Sequence, residues 1–129
     1  MNSLAICLSI LTLIASNVFA ATSSATLEAG ESSVMGGYIG QGSGNGTLSV
    51  NLTSGYEIES KAKYVRRWAP DGTLASITDT TLTGTRSKSV SLPWAYDDPI
   101  WPFKPQIQSY YVVISKVNLD SGGTGSLSN

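Results

Sequence analysis

Trp94, Tyr96, Trp101 and Phe103 fall within ten residues of one another. Lys104 adjoins the last of them, and Asp97-Asp98 stands in their midst. Four of the five prolines (Pro93, Pro99, Pro102 and Pro105) punctuate the same stretch. A proline cannot donate to a strand ladder, so residues 93–105 read as a loop or a broken sheet edge. Rings held on such a segment are suited to contacts outside the protein, because one side is apolar and Trp and Tyr also carry a hydrogen-bonding tip. Lys104 could meet a phosphate, and Asp97-Asp98 an amine or a quaternary ammonium. Trp94 also closes an alternating strand pattern, so its ring has two destinations, the core or a contact surface. Trp101, between prolines, is the stronger contact candidate. Arg66-Arg67 with Lys61 and Lys63 reads either as a solvated strand face or as a phosphate-binding patch. Tyr110 and Tyr111 read as packing residues.

Catalytic chemistry is poorly provided for. The 129 residues contain no histidine and one cysteine, Cys7. The commonest general base and the commonest zinc ligand are therefore missing. Asp71, Asp79, Asp97, Asp98 and Asp120 could in principle supply paired carboxylates, but no spacing pairs them, and the chain is read as a non-enzyme with no cofactor. Asp97-Asp98 lacks the loop of oxygen ligands that a calcium site requires. The glycine run Gly36–Gly46 has neither a Lys-Ser/Thr ending nor a dinucleotide pattern. Eight Lys and Arg against nine Asp and Glu leave the side chains nearly balanced, which argues against nonspecific nucleic-acid binding.

The elements that must position these residues are β-strands. Leu4–Ile14 is nearly all apolar, with Val18 and Ala20 spaced as before a cleavage site, so residues 1–20 are expected to be a secretory signal peptide. That assignment implies a secreted protein of one domain, 21–129, without a disulfide, since Cys7 would be removed. Asn45-Gly46-Thr47 and Asn51-Leu52-Thr53 are glycosylation sequons.

Thr47–Thr53 alternates with Leu48, Val50 and Leu52 on one face. Tyr56–Tyr64 alternates with Tyr56, Ile58, Ala62 and Tyr64 on one face. These two are expected to pair as a hairpin, Leu52 with Ile58 and Leu48 with Ala62, through an odd loop at Ser54-Gly55. Ala69-Pro70-Asp71-Gly72-Thr73 predicts a three-residue hairpin loop between strands around Tyr64–Trp68 and Leu74–Asp79. Thr83-Gly84-Thr85 predicts a turn. Ser89–Trp94 alternates with Val90, Leu92 and Trp94 on one side. Tyr110–Leu119 is apolar on both faces, as in a central strand. Gly36–Gly46, with six glycines, is expected to be mobile, and Ser121–Asn129 reads as a frayed tail. The sum is an all-β chain: a single antiparallel β-sandwich of six to eight strands.

The closing third resembles the aegerolysin family. Pro93-Trp94, Trp101, Tyr110 and Asn118-Leu119-Asp120-Ser121-Gly122, then Gly125, match its C-terminal pattern without a gap. Upstream, Asp71-Gly72-Thr73 with Ala75-Ser76-Ile77 is similar to the family's acidic-Gly-Thr segment, Arg66 to its arginine, and Met35-Gly36-Gly37-Tyr38 to its Trp-Gly-Lys turn. The chain departs from the pattern at Leu92 and at Tyr64-Val65, where the family often has cysteine. It also lacks the family's apolar first strand, unless residues 1–20 are a degenerate form of it. The resemblance implies binding to a membrane lipid, a sphingolipid with or without sterol, and possible action with a perforin-like partner protein in a cytolytic pore-forming system. Trp94, Tyr96, Trp101, Phe103, Lys104 and Arg66 are then the candidate lipid-binding residues. The alternative from the residues alone is a secreted carbohydrate-binding or cell-surface structural module.

Overall fold

The computed structural model describes residues 21–67, 69–98 and 103–129. Residues 1–20, Trp68 and Trp101 lie outside the described residues, so the signal-peptide assignment and the Trp101 contact are not addressed by it. Among the described residues eight strands follow in chain order: β1 Thr22–Leu27, β2 Ser33–Met35, β3 Asn45–Ser54, β4 Ile58–Tyr64, β5 Gly72–Asp79, β6 Arg86–Ser91, β7 Tyr110–Lys116 and β8 Gly122–Ser128. They form two four-stranded sheets, β1-β8-β3-β6 and β2-β7-β4-β5, and every neighbouring pair is antiparallel. The expected all-β sandwich is what the chain adopts.

Alternation dictates which side chains meet between the sheets. Leu48, Val50 and Leu52 from β3 face Ile58 and Ala62 from β4 and Val112 and Ile114 from β7, all at most 2 % exposed. Leu27, Val90, Leu92 and Leu127 complete this layer. β7 lies inside its sheet, between β2 and β4, as its two-sided apolar character requires, although it ends at Lys116 rather than Leu119.

Several sequence expectations are corrected. β3 and β4 share no ladder, because they belong to different sheets. The chain crosses between sheets at Gly55, whose φ of 88° belongs to the left-handed region, and a Cβ there would strike the Asp120 carbonyl. The Ser121 hydroxyl accepts from the Tyr56 and Glu57 amides and donates to the Leu119 carbonyl, which fixes the arch. β4 therefore starts at Ile58, and Tyr56 is exposed in the turn.

The β4–β5 connection is also longer than three residues, running from Val65 to Asp71, with a register shift at Ala62/Lys63. β6 starts at Arg86 and stops at Ser91, and Trp94 does not continue its inward face. The glycine-rich linker after β2 has fixed backbone partners: Gly36 donates to Val112, and Ile39 and Tyr110 exchange both hydrogen bonds. The expected tail is the inner strand β8, held between β1 and β3 over its whole length.

Candidate functional site

Strand directions bring three connections to one end of the sandwich: the 36–44 linker, the 65–71 loop and the 92–109 segment. They are tied to one another. Val65 donates to the Ser109 carbonyl, Leu92 to that of Gly44, and the Gln41 side chain to that of Leu92. The Tyr110 hydroxyl donates to the Pro93 carbonyl, and the Tyr111 hydroxyl to the Asp71 carboxylate. Burial pushes both phenols up to about 12, with the Asp71 hydrogen bond and charge adding to the effect at Tyr111. These two residues are packing residues, as their sequence context suggested.

On either side of residues 99–102, the proline-rich segment forms a short ladder. Ala95 and Gln106 form an antiparallel bridge, Tyr96 donates to the Pro105 carbonyl, and Ile107 donates to that of Trp94. Proline tolerates this arrangement because it only has to accept. The ladder buries Tyr96 and Ile107 and turns Trp94 and Gln106 outward. Trp94 is 62 % exposed and Phe103 63 %. Of the two destinations open to Trp94, the ring takes the surface.

Tyr96 is 8 % exposed, so its ring is a wall of the site and not a projecting contact; its hydroxyl donates to the Arg67 carbonyl. Arg66 stacks its guanidinium over the Tyr64 and Tyr96 rings, 5.5 and 5.8 Å from their centroids, while its Nε donates to the Pro70 carbonyl. Cation–π stacking and a backbone acceptor thus engage Arg66 in holding the 65–71 loop against the aromatic segment. Lys104 pairs with Asp97 at 3.2 Å, both well exposed. Such an exposed pair is worth at most about 1 kcal/mol and opens readily. Beside it lies a cavity of about 310 Å³ lined by Arg67, Tyr96, Phe103, Lys104, Gln106 and Gln108.

Four candidates therefore gather in one place: Tyr96, Phe103 and Lys104 around the cavity and Arg66 behind it. Trp94 projects from the same segment. Arg67 joins them from the Arg66-Arg67 pair, whereas Gln106 and Gln108 were not singled out from the sequence. Gln106-Ile107-Gln108 does alternate, and that pattern could have marked both glutamines as outward-facing. Tyr38 was also missed; it is 64 % exposed and meets Tyr111 edge-on at 5.4 Å.

Four of the five aspartates that might have served catalysis are engaged separately. Asp79 accepts from the Leu52 amide and from the amide and hydroxyl of Thr81, Asp120 accepts from the Gly30 amide, and Asp71 and Asp97 are held as described. Among the described residues no three of His, Cys, Asp and Glu come close enough to hold a metal, and no helix is long and apolar enough to cross a membrane.

No family model matches the chain, and no curated protein does. Solved structures are similar in form. A chain from the disulfide-linked pili of Bacillus endospore appendages is 8 % identical with a TM-score of 0.46, over 84 % of this chain and 82 % of that one. PirA is 10 % identical with a TM-score of 0.43, over 82 % and 90 %. A CBM4 chain is 13 % identical with a TM-score of 0.39, over 86 % and 90 %. At such scores these likenesses assign no ligand.

Proposed function

We propose that this chain is a non-enzymatic recognition module that binds a phospholipid or sphingolipid surface through the loop end bearing Trp94 and Phe103. The observation that carries the reading is the pair of large rings, each more than three-fifths exposed, beside an exposed Lys104–Asp97 pair. Interfacial partition of two such rings contributes a few kcal/mol, enough for reversible surface binding. A lysine beside an aspartate complements a zwitterionic headgroup, phosphate to Lys104 and ammonium to Asp97. The resemblance of residues 93–125 to aegerolysins points the same way, toward a secreted sphingolipid-binding protein, with a perforin-like partner as its cytolytic extension.

A carbohydrate-binding or cell-surface module is the second reading. It is favoured by the cavity, where the Tyr96 and Phe103 rings meet the amides of Gln106 and Gln108. Rings and amides of this kind suit a sugar ring as well as a headgroup.

Sedimentation with liposomes of phosphatidylcholine alone, with sphingomyelin, and with sphingomyelin plus sterol tests the first reading. Depletion from solution by one of these compositions supports it. No depletion by any, together with direct binding of soluble oligosaccharides at the cavity, would replace it with the second.

A further inference from the structure

The outer face of the β1-β8-β3-β6 sheet is built almost entirely from hydroxyls. Register and alternation place Thr22, Ser128, Thr47 and Ser89 side by side across its four strands. The next row is Ser24, Ser126, Ser49 and Ser87, and the third is Thr26, Thr124 and Asn51. Neighbouring rows repeat every two residues, so the grid spacing is roughly 4.8 Å across strands and 6.7 Å along them. Ser49 and Ser87 share a hydrogen bond of 3.1 Å within the grid.

Among the described residues the face carries no charge. β1, β3 and β8 contain no ionisable residue, and the two cations of β6 lie on its other side. Arg86 and Lys88 reach across the sandwich to the Thr78 and Ser76 carbonyls of β5. The outer face of the opposite sheet is an ordinary solvated one, with Glu59, Lys61 and Lys63 on β4 and an ion pair between the first two. Solubility and strand propensity therefore do not require an uncharged hydroxyl surface, because the same chain meets both demands differently on its other sheet.

Two open hollows lie on this face. One, of about 370 Å³, runs between Asn45, Thr47, Ser89, Ser91, Ser128 and Asn129. The other, of about 360 Å³, is lined by Ser24, Thr26, Ser49, Asn51, Thr124 and Ser126 among others.

We infer that this face binds a neutral polysaccharide, laid obliquely along the strands so that sugar units of one polymer occupy both hollows. A hydroxyl both donates and accepts, so a grid of them can pair with sugar hydroxyls in either sense. With no charge present, docking a neutral polymer desolvates no ion, while a phosphate or carboxylate ligand would find no cation there. Hollows separated along the face suit a chain of discrete rings better than a continuous flat lattice of water or a second copy of the sheet. The site is distinct from the aromatic loop end and does not rest on the lipid reading.

The test is adsorption to insoluble cellulose, chitin and β-1,3-glucan, with Ser49→Lys and Thr124→Lys as the disrupting variants. Wild type should deplete onto at least one polymer. Each lysine should weaken that adsorption by roughly tenfold or more, because the ammonium would be covered without a partner. Ser24→Lys, on the exposed edge strand, repeats the test should either inner variant unfold. Trp94→Ala with Phe103→Ala should leave adsorption unchanged. Adsorption to none of the three polymers overturns the inference, as does adsorption lost in Trp94→Ala with Phe103→Ala but kept in the lysine variants. Ice-growth arrest or dimerisation that Ser49→Lys abolishes, without polymer adsorption, would also overturn it.

Discussion

Asp79 shows how single residues hold this sandwich. It ends β5 in one sheet, is fully buried, and accepts the amide of Leu52 in the other. Burial raises its pKa, but hydrogen bonds from Leu52 and Thr81 and the charge of Arg86 outweigh burial and leave the carboxyl below its ordinary 3.8. Asp79→Ala should cost about 2–4 kcal/mol in urea unfolding, because it leaves a buried amide without an acceptor. A loss under 1 kcal/mol would show that the clamp matters little. The folded-state pKa is lowered, so this stabilisation is present above the unfolded value and fades as the pH falls through it.

Tyr110 and Tyr111 act in the opposite direction. Their folded pKa values of about 12 lie above the ordinary 10.0, so the unfolded chain gives up these protons first. Stability should then be full below about pH 10 and decline as the pH rises toward 12. Denaturation midpoints across this range should show the decline, and Tyr110→Phe with Tyr111→Phe should flatten it. An equally steep decline in the double variant would contradict the assignment.

At the scale of elements, β8 packs its glycines directly against side chains of the opposite sheet. A Cβ on Gly125 would collide with the Ile114 side chain and the Ser60 hydroxyl, and one on Gly123 with Asn51 and Ile58. Gly125→Val should therefore abolish folding or lower the thermal midpoint sharply, as read by circular dichroism, while Thr124→Val on the outer face should be nearly neutral. Equal tolerance at both positions would refute the close packing.

The same glycines explain what the sequence hid. A strand whose inward positions are Gly123, Gly125 and Leu127 has the composition of a tail, because its packing partner supplies the bulk. β1, largely Ser and Thr, is concealed in the same way. Alternation in β3 and β4 was legible, but their partners were not, since pairing with β8 and β7 depends on contacts far along the chain. The aromatic cluster was legible because its members are neighbours in sequence. Arg67 and the two glutamines join it only through the fold, and the destination of Trp94 was settled only by the ladder at Ala95 and Gln106.

At the scale of the whole molecule, the two ends of the sandwich differ in kind. One end gathers Tyr38, Trp94 and Phe103 with Arg66, Arg67 and Lys104. The other, formed by the loops after β1, β3, β5 and β7, exposes Tyr56, Leu82 and Leu119 among Glu28, Glu31, Glu57 and Asp120. Both ends display apolar side chains, so exposure alone does not select a binding surface. The first end adds a cavity and sets cations beside its carboxylates, whereas the excess of carboxylates in the loops of the second would be repelled by an anionic membrane.

The most direct measurement compares the two ends on liposomes of sphingomyelin and sterol. Trp94→Ala with Phe103→Ala should lower partitioning by about tenfold or more, a loss of at least ~1.4 kcal/mol, with the fold intact. Tyr56→Ala with Leu119→Ala should leave it unchanged. Equal binding by both variants, or loss at the Tyr56 end alone, would contradict the account.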